Sequence, residues 1–101
     1  MISTAASFLE DDVVVPRPAD APRKAKLMLT GARKTLVNGY YQIEDPKAKE
    51  QLRYVKISKA GVIVRSRDFP VTMVWNAWNN CWVVGPANNM VCIQQARVLG
   101  R

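Results

Sequence analysis

Apolar and polar positions in this chain alternate with a period of two over most of its length. Val71, Met73 and Trp75 fall on one face of a run whose other face carries Thr72, Val74 and Asn76, the signature of a strand with one side buried. Gln51–Ser58 reads the same way, with Leu52 and Tyr54 on one face and Arg53, Val55 and Ile57 on the other. Shorter apolar runs at Leu27–Thr30, Gly61–Arg67, Cys81–Val84 and Met90–Gln94 predict further strands. Thr35–Ile43 predicts one more, with Asn38-Gly39 inside it as a tight type I′ hairpin or a bulge, because that dipeptide tolerates positive φ. Gln95–Leu99 predicts a strand end or a single helical turn.

The segments between are turn chemistry. Glu44–Lys49 is polar and contains Pro46, Lys59-Ala60-Gly61 reads as a turn, and Asp68-Phe69-Pro70 reads as a break. Asn76–Asn80 and Gly85–Asn89 close the list. Six to seven short strands joined by such turns predict an all-β fold: a small antiparallel meander, curled sheet or barrel.

The pattern fails before residue 27. Residues 3–10 predict a short helix capped by Ser3 or Thr4, and residues 11–26, with Pro16, Pro18 and Pro22, predict an extended segment. The domain reading is therefore an extended N-terminal arm over 1–26 and a single β domain over 27–101. A proline-containing arm has no core of its own, so it either folds back on the domain or lies on a partner. The expectation taken forward places it across a neighbouring subunit.

Charge sharpens this picture. The formal net charge is +7, distributed as −3 over 1–22, +9 over 23–67 and +1 over 68–101. A basic middle favours an acidic protein face, nucleic acid or anionic lipid. No apolar run approaches the roughly 20 residues that span a bilayer, so no transmembrane segment is expected and peripheral association stays open. The first dozen residues carry Glu10, Asp11 and Asp12 and no long apolar run, which argues against a secretory signal or a retained presequence.

The chain contains no histidine. Serine–histidine and cysteine–histidine nucleophiles are thereby excluded within it. Glu44, Asp45 and Asp68 sit in turns, not in apolar surroundings that would tune an acid. Leu29–Thr35 lacks the second glycine a phosphate loop needs before its lysine. No catalytic residue, cofactor or metal ligand is assigned, and no small-molecule substrate is expected. Cys81 and Cys92 are too few for a disulfide framework or a structural zinc site; each is expected to be a free, buried thiol. Their relative position hangs on the loop between their strands. A loop over 85–88 sets Cys81 opposite Cys92, whereas a loop over 85–89 sets Trp82 opposite Cys92 and separates the thiols onto opposite faces.

Aromatic and basic residues are interleaved. Trp75 and Trp82 are expected in the core; Trp78, between asparagines in a turn, is the aromatic most expected to be exposed. The candidate partner contacts are Arg17, Arg23, Lys24 and Lys26 in and beside the arm, Arg53, Lys56, Arg65 and Arg67 on the strands, and Trp78.

A local pattern adds to this. Thr30-Gly31-Ala32, Leu36-Val37-Asn38-Gly39-Tyr40-Tyr41, Tyr54-Val55-Lys56 and Trp82-Val83-Val84 together resemble a short β-meander module of protist proteins. In that module a V-N-G-x-Y strand leads to a Y-x-K strand and later a tryptophan strand. Residues 30–84 are covered, with a charged loop at Glu44–Glu50 where the module is glycine-rich. The resemblance implies a non-enzymatic β module used for association and supplies no catalytic residue.

The expected function is a non-catalytic accessory or structural subunit docking on a larger multisubunit assembly. An organellar respiratory, ATP-synthase or photosynthetic complex, in a mitochondrion or plastid, fits that description. The alternative is an RNA- or ribosome-associated small β-barrel protein that uses Arg53, Lys56, Arg65 and Arg67.

Overall fold

Residues 13–48 and 51–100 are described in a computed structural model. The expected helix over 3–10 lies outside them. Alternation does become strand: β3 (Gly39–Ile43), β4 (Arg53–Ile57), β7 (Thr72–Asn76) and β8 (Cys81–Gly85) pair antiparallel in sequence order. The register stacks one face of each on the next. Trp75 stands opposite Trp82, Met73 opposite both Val84 and Tyr54, and Tyr41 opposite Lys56. All these apolar side chains are buried and form one cluster with Leu27, Val37, Leu52, Val71 and Ala96. Trp82 is its centre, meeting Tyr54 at 6.0 Å and Trp75 at 5.5 Å, both edge to face, the arrangement that ring quadrupoles favour.

The sheet is all-β and mostly antiparallel, with strand order β1-β10-β2-β3-β4-β7-β8-β9. Here β1 is Val13–Val15, β2 Leu27–Leu29, β9 Val91–Ile93 and β10 Arg97–Leu99. A separate two-stranded ribbon joins β5 (Arg65–Ser66) to β6 (Phe69–Pro70). The chain from 91 to 99 runs from one side of the sheet to the other. It pairs with β8 through β9, bends at Gln94–Ala96, then pairs with β2 through β10. The sheet therefore curls around its core without closing into a barrel.

Several expected elements differ. The described residues hold ten short strands where six or seven are expected. Thr35–Val37 is a 3₁₀ turn, and Asn38-Gly39 is neither a hairpin nor a bulge. The Asn38 amide instead clamps the preceding loop, accepting from Ala32 N (3.0 Å) and donating to Ala32 O (3.1 Å). Gly39 then opens β3 at φ +143, where a Cβ would stand 2.8 Å from Lys56 Cε. The backbone angle favours glycine there, and the mobile end of Lys56 occupies the space a side chain would take.

The Gly61–Arg67 run is not one strand. Ile63 makes a single bridge to Ile57, Arg65 and Ser66 pair with Phe69-Pro70, and Asp68-Phe69-Pro70 does not break the chain. Arg67 at φ 58 begins a tight turn that sends Phe69-Pro70 back along Arg65-Ser66. Within the closing segment, Arg97–Leu99 is strand and not a helical turn, because β2 and β1 supply ladders on both sides.

The arm, over its described part 13–26, does not leave the domain. Val13–Val15 pair in parallel with Arg97–Leu99. Ala25, Ile57 and Leu99 form a second buried cluster, with Val15, Ala21, Met28 and Tyr40 packed on it. This cluster lies on the face of β4 opposite the main core. Over 13–26 the segment folds back on its own sheet, with Val13 and Val14 left exposed.

Candidate functional site

Each basic residue singled out from sequence has a definite place. Arg17 is half-buried in the fold: its guanidinium donates to the carbonyls of Gly100 (3.2 Å), Pro22 (2.9 Å) and Ala25 (2.6 Å). Those three bonds tie the arm's bend to the end of β10. Arg53 forks onto the Glu44 carboxylate through Nε (2.9 Å) and Nη2 (3.0 Å). Lys56 turns inward, its ammonium donating to Leu36 O at 2.6 Å, and partial burial lowers its pKa from the ordinary lysine value. Arg17, Arg53 and Lys56 thus spend their charge within the domain.

Arg23, Lys24 and Lys26 are exposed. Arg23 and Lys24 line one side of a cavity of about 290 Å³ whose other side is Gln42, Ile57 and Lys59. Lys59 is held by Asp20 at 2.9 Å, and Tyr40 Oη donates to the same carboxylate at 3.0 Å. Lys59 first, then Tyr40, holds the Asp20 carboxyl below its usual range, and the Lys59 pKa is raised in return.

Arg65 and Arg67 lie on the excursion Ser58–Val71 that leaves the sheet between β4 and β7. Arg65 reaches the Asp68 carbonyl at 3.4 Å across the turn. Three apolar residues of the same excursion face solvent: Val62 at 63% exposure, Ile63 at 43% and Phe69 at 39%. The base of the excursion is well pinned. Lys56 N donates to Val71 O, Val71 N to Val64 O, and Val64 N to Lys56 O, all at 2.8–3.1 Å. Below this seam Val71 is fully buried; above it the apolar side chains have no sheet to cover them. Sequence reasoning missed this patch, since a β-branched run usually signals a buried strand.

Trp78 is 96% exposed, at the tip of the β7–β8 hairpin. The Asn76 carboxamide oxygen accepts from Trp78 N (2.9 Å) and Asn79 N (3.2 Å), fixing the turn, and Asn80 takes φ 53. Left-handed backbone suits asparagine. Because the excursion enters β7 at Thr72 and Trp78 follows its other end at Asn76, the two features are separated by the strand's length, roughly 17 Å.

The buried polar groups have ordinary structural explanations. Tyr41 Oη donates to Val37 O at 2.7 Å, and burial raises its pKa well above the usual tyrosine range. Among the described residues no group of three or more histidine, cysteine or acidic side chains gathers at one point. No helix there is long and apolar enough to cross a membrane. A second cavity, about 380 Å³, opens between β9 and the loop Thr30–Lys34. Lys34 spans that seam, donating to Asn89 O at 2.7 Å.

The cysteine hairpin takes neither expected register. Val83 faces Cys92, with Trp82 opposite Ile93 and Val84 opposite Val91. The physical reason is Gly85. It extends β8 by one residue at φ +135, packed so closely under Asn89 that a Cβ would lie 2.6 Å from the Asn89 carbonyl. The connection therefore runs longer than either loop expected. Both thiols are free, but Cys92 is exposed and not buried.

Compared with models of protein families, with curated proteins and with solved structures, the chain matches none.

Proposed function

We propose that this chain is a non-catalytic docking subunit that joins a larger assembly through the excursion Ser58–Val71. The observation that carries this reading is the exposure of Val62, Ile63 and Phe69 beside Arg65 and Arg67. Exposed apolar residues on one excursion interspersed with arginines suit a protein contact. Their partner surface would be an apolar recess edged by carboxylates. Trp78, at the far end of β7, offers a second anchor of the kind that dominates interface energies. Within the described part of the arm, Arg17 and Ala25 are engaged by the domain, which favours the excursion as the docking element.

The test is co-purification at native abundance of the parent chain and the pair Val62→Ser, Phe69→Ser. The pair should keep its circular dichroism spectrum and melting temperature yet run as a free monomer. If the doubly substituted chain still enters the same assembly, the excursion is not the docking element. An association that vanishes on ribonuclease treatment, with affinity falling steeply in salt, would replace this proposal with the RNA-associated reading.

A further inference from the structure

The register of the β8–β9 hairpin decides what its two cysteines can do. Cys92 stands opposite Val83, and Cys81 precedes Val83 by two positions on the same strand. Side chains two apart share a face, so both thiols project from the side of the sheet away from Trp82 and Val84. Their relation is diagonal, not directly opposite. Diagonal neighbours have Cα atoms roughly 7–8 Å apart, outside the range of about 4.4–6.8 Å over which a disulfide closes. The thiols still sense each other: burial first, then the Cys92 thiol, push Cys81 up to about 11. Cys81 is 1% exposed, whereas Cys92 faces solvent.

Sulfurs that interact across a diagonal are poorly placed for an S–S bond of about 2 Å. They suit a longer bridge. A metal held in line between two thiolates spans roughly twice a metal–sulfur bond, each about 2.3 Å on the scale of zinc thiolates. The donor set then selects the metal. The chain has no histidine, and no third cysteine, aspartate or glutamate joins the pair among the described residues. Four-coordinate zinc would be left short of ligands, while thiolates alone favour a soft cation such as copper(I).

We propose that Cys81 and Cys92 bind one copper(I) ion as a two-coordinate thiolate site on the outer face of the β8–β9 hairpin. Each S–H bond gives its proton to solvent and each sulfur donates its electron pair to the metal. Copper stays in the monovalent state and no electron is transferred. Cys92 is the ligand that meets the incoming ion, and Cys81 completes the site from the buried side. The product carries one net negative charge. Arg33 and Lys34, which with Cys92 line the cavity at the seam, offset it.

The test uses the reduced full chain, titrated anaerobically with copper(I) against the competing chelator bicinchoninate. One equivalent should leave the chelator and give an ultraviolet sulfur-to-copper charge-transfer band. X-ray absorption should show two sulfur neighbours. Affinity should fall with falling pH, by up to about 100-fold per unit while both thiols must be deprotonated on binding. Cys92→Ser should abolish uptake without changing the melting temperature, because that side chain is exposed. Cys81→Ser should abolish it too, with its fold checked by circular dichroism. Retention of all the copper by the chelator would overturn the proposal, as would uptake by Cys92→Ser equal to the parent. So would rapid closure of an intramolecular Cys81–Cys92 disulfide by oxidised glutathione in the folded protein, seen as the loss of two hydrogen masses.

Discussion

The segment 13–26 and the excursion 58–71 are built from similar material and meet opposite fates. Both contain proline, both carry cations, and each holds apolar residues in a stretch too short to make a core. The first is fastened to the sheet by the three Arg17 bonds, by the Asp20 contacts to Tyr40 and Lys59, and by a buried cluster around Ile57. The second is held at its base, by the Ile57–Ile63 bridge and by the same Lys59–Asp20 pair, yet Val62, Ile63 and Phe69 remain exposed. The difference lies in polar anchoring, not in hydrophobicity. Arg17 reaches carbonyls far along the chain and so ties its segment to the sheet, whereas Arg65 bonds only across its own turn.

The strongest way to break this contrast is Arg17→Ala. Three carbonyls lose a charged donor, and bonds of that kind contribute about 1.5–3 kcal/mol net. The expected loss of stability is about 2–3 kcal/mol in urea unfolding, with new protease cleavage within 13–26 and none added within 58–71. Unchanged cleavage would mean that the apolar cluster alone holds the segment.

A smaller effect of opposite sign is expected on the excursion. Arg67 takes a left-handed angle at the first central position of its turn, where glycine is favoured. Arg67→Gly should raise stability by about 0.5–1 kcal/mol, read as an increase in melting temperature, while weakening assembly binding by removing the cation.

Smaller still, Phe69→Ser alone should leave stability within about 0.5 kcal/mol of the parent, measured by the same unfolding curve. A larger loss would show that Phe69 is packed on its own domain.

The finest distinction is one of pH. The Asp20 carboxyl is lower in the folded chain than its ordinary value of 3.8. Its contribution is therefore present above that value and lost as pH falls through the lower folded value. Protease sensitivity within 13–26 should rise below about pH 4, and Asp20→Asn should remove that pH dependence.

What could be read from sequence follows from which partners are local. The faces of Val71, Met73 and Trp75, and of Leu52 and Tyr54 against Ile57, were legible because alternation alone fixes them once one side is covered. Trp78 was legible because its asparagine neighbours make the turn themselves. The 3₁₀ turn at Thr35–Val37 was not, since its β-favouring residues are overridden by contacts from Asn38 and the distant Lys56. Nor was the role of Arg17, one of whose acceptors lies 83 positions away. The cysteine register turned on how far Gly85 extends its strand. The exposure of Val62, Ile63 and Phe69 was hidden because their pattern is that of a covered strand, and no local signal states that the cover is missing.

The segment 91–99, which pairs with β8 and then with β2, also sets an order of events during synthesis. Hairpins from β3 to β8 can form as they emerge from the ribosome. The other side of β2, however, stays bare until residues 97–99 have been made, and β1 has no partner before then. Until residues 97–99 emerge, the nascent chain therefore presents two short unpaired edges, where a second copy could pair first. Residues 97–99 act as the latch that retires both of them at once.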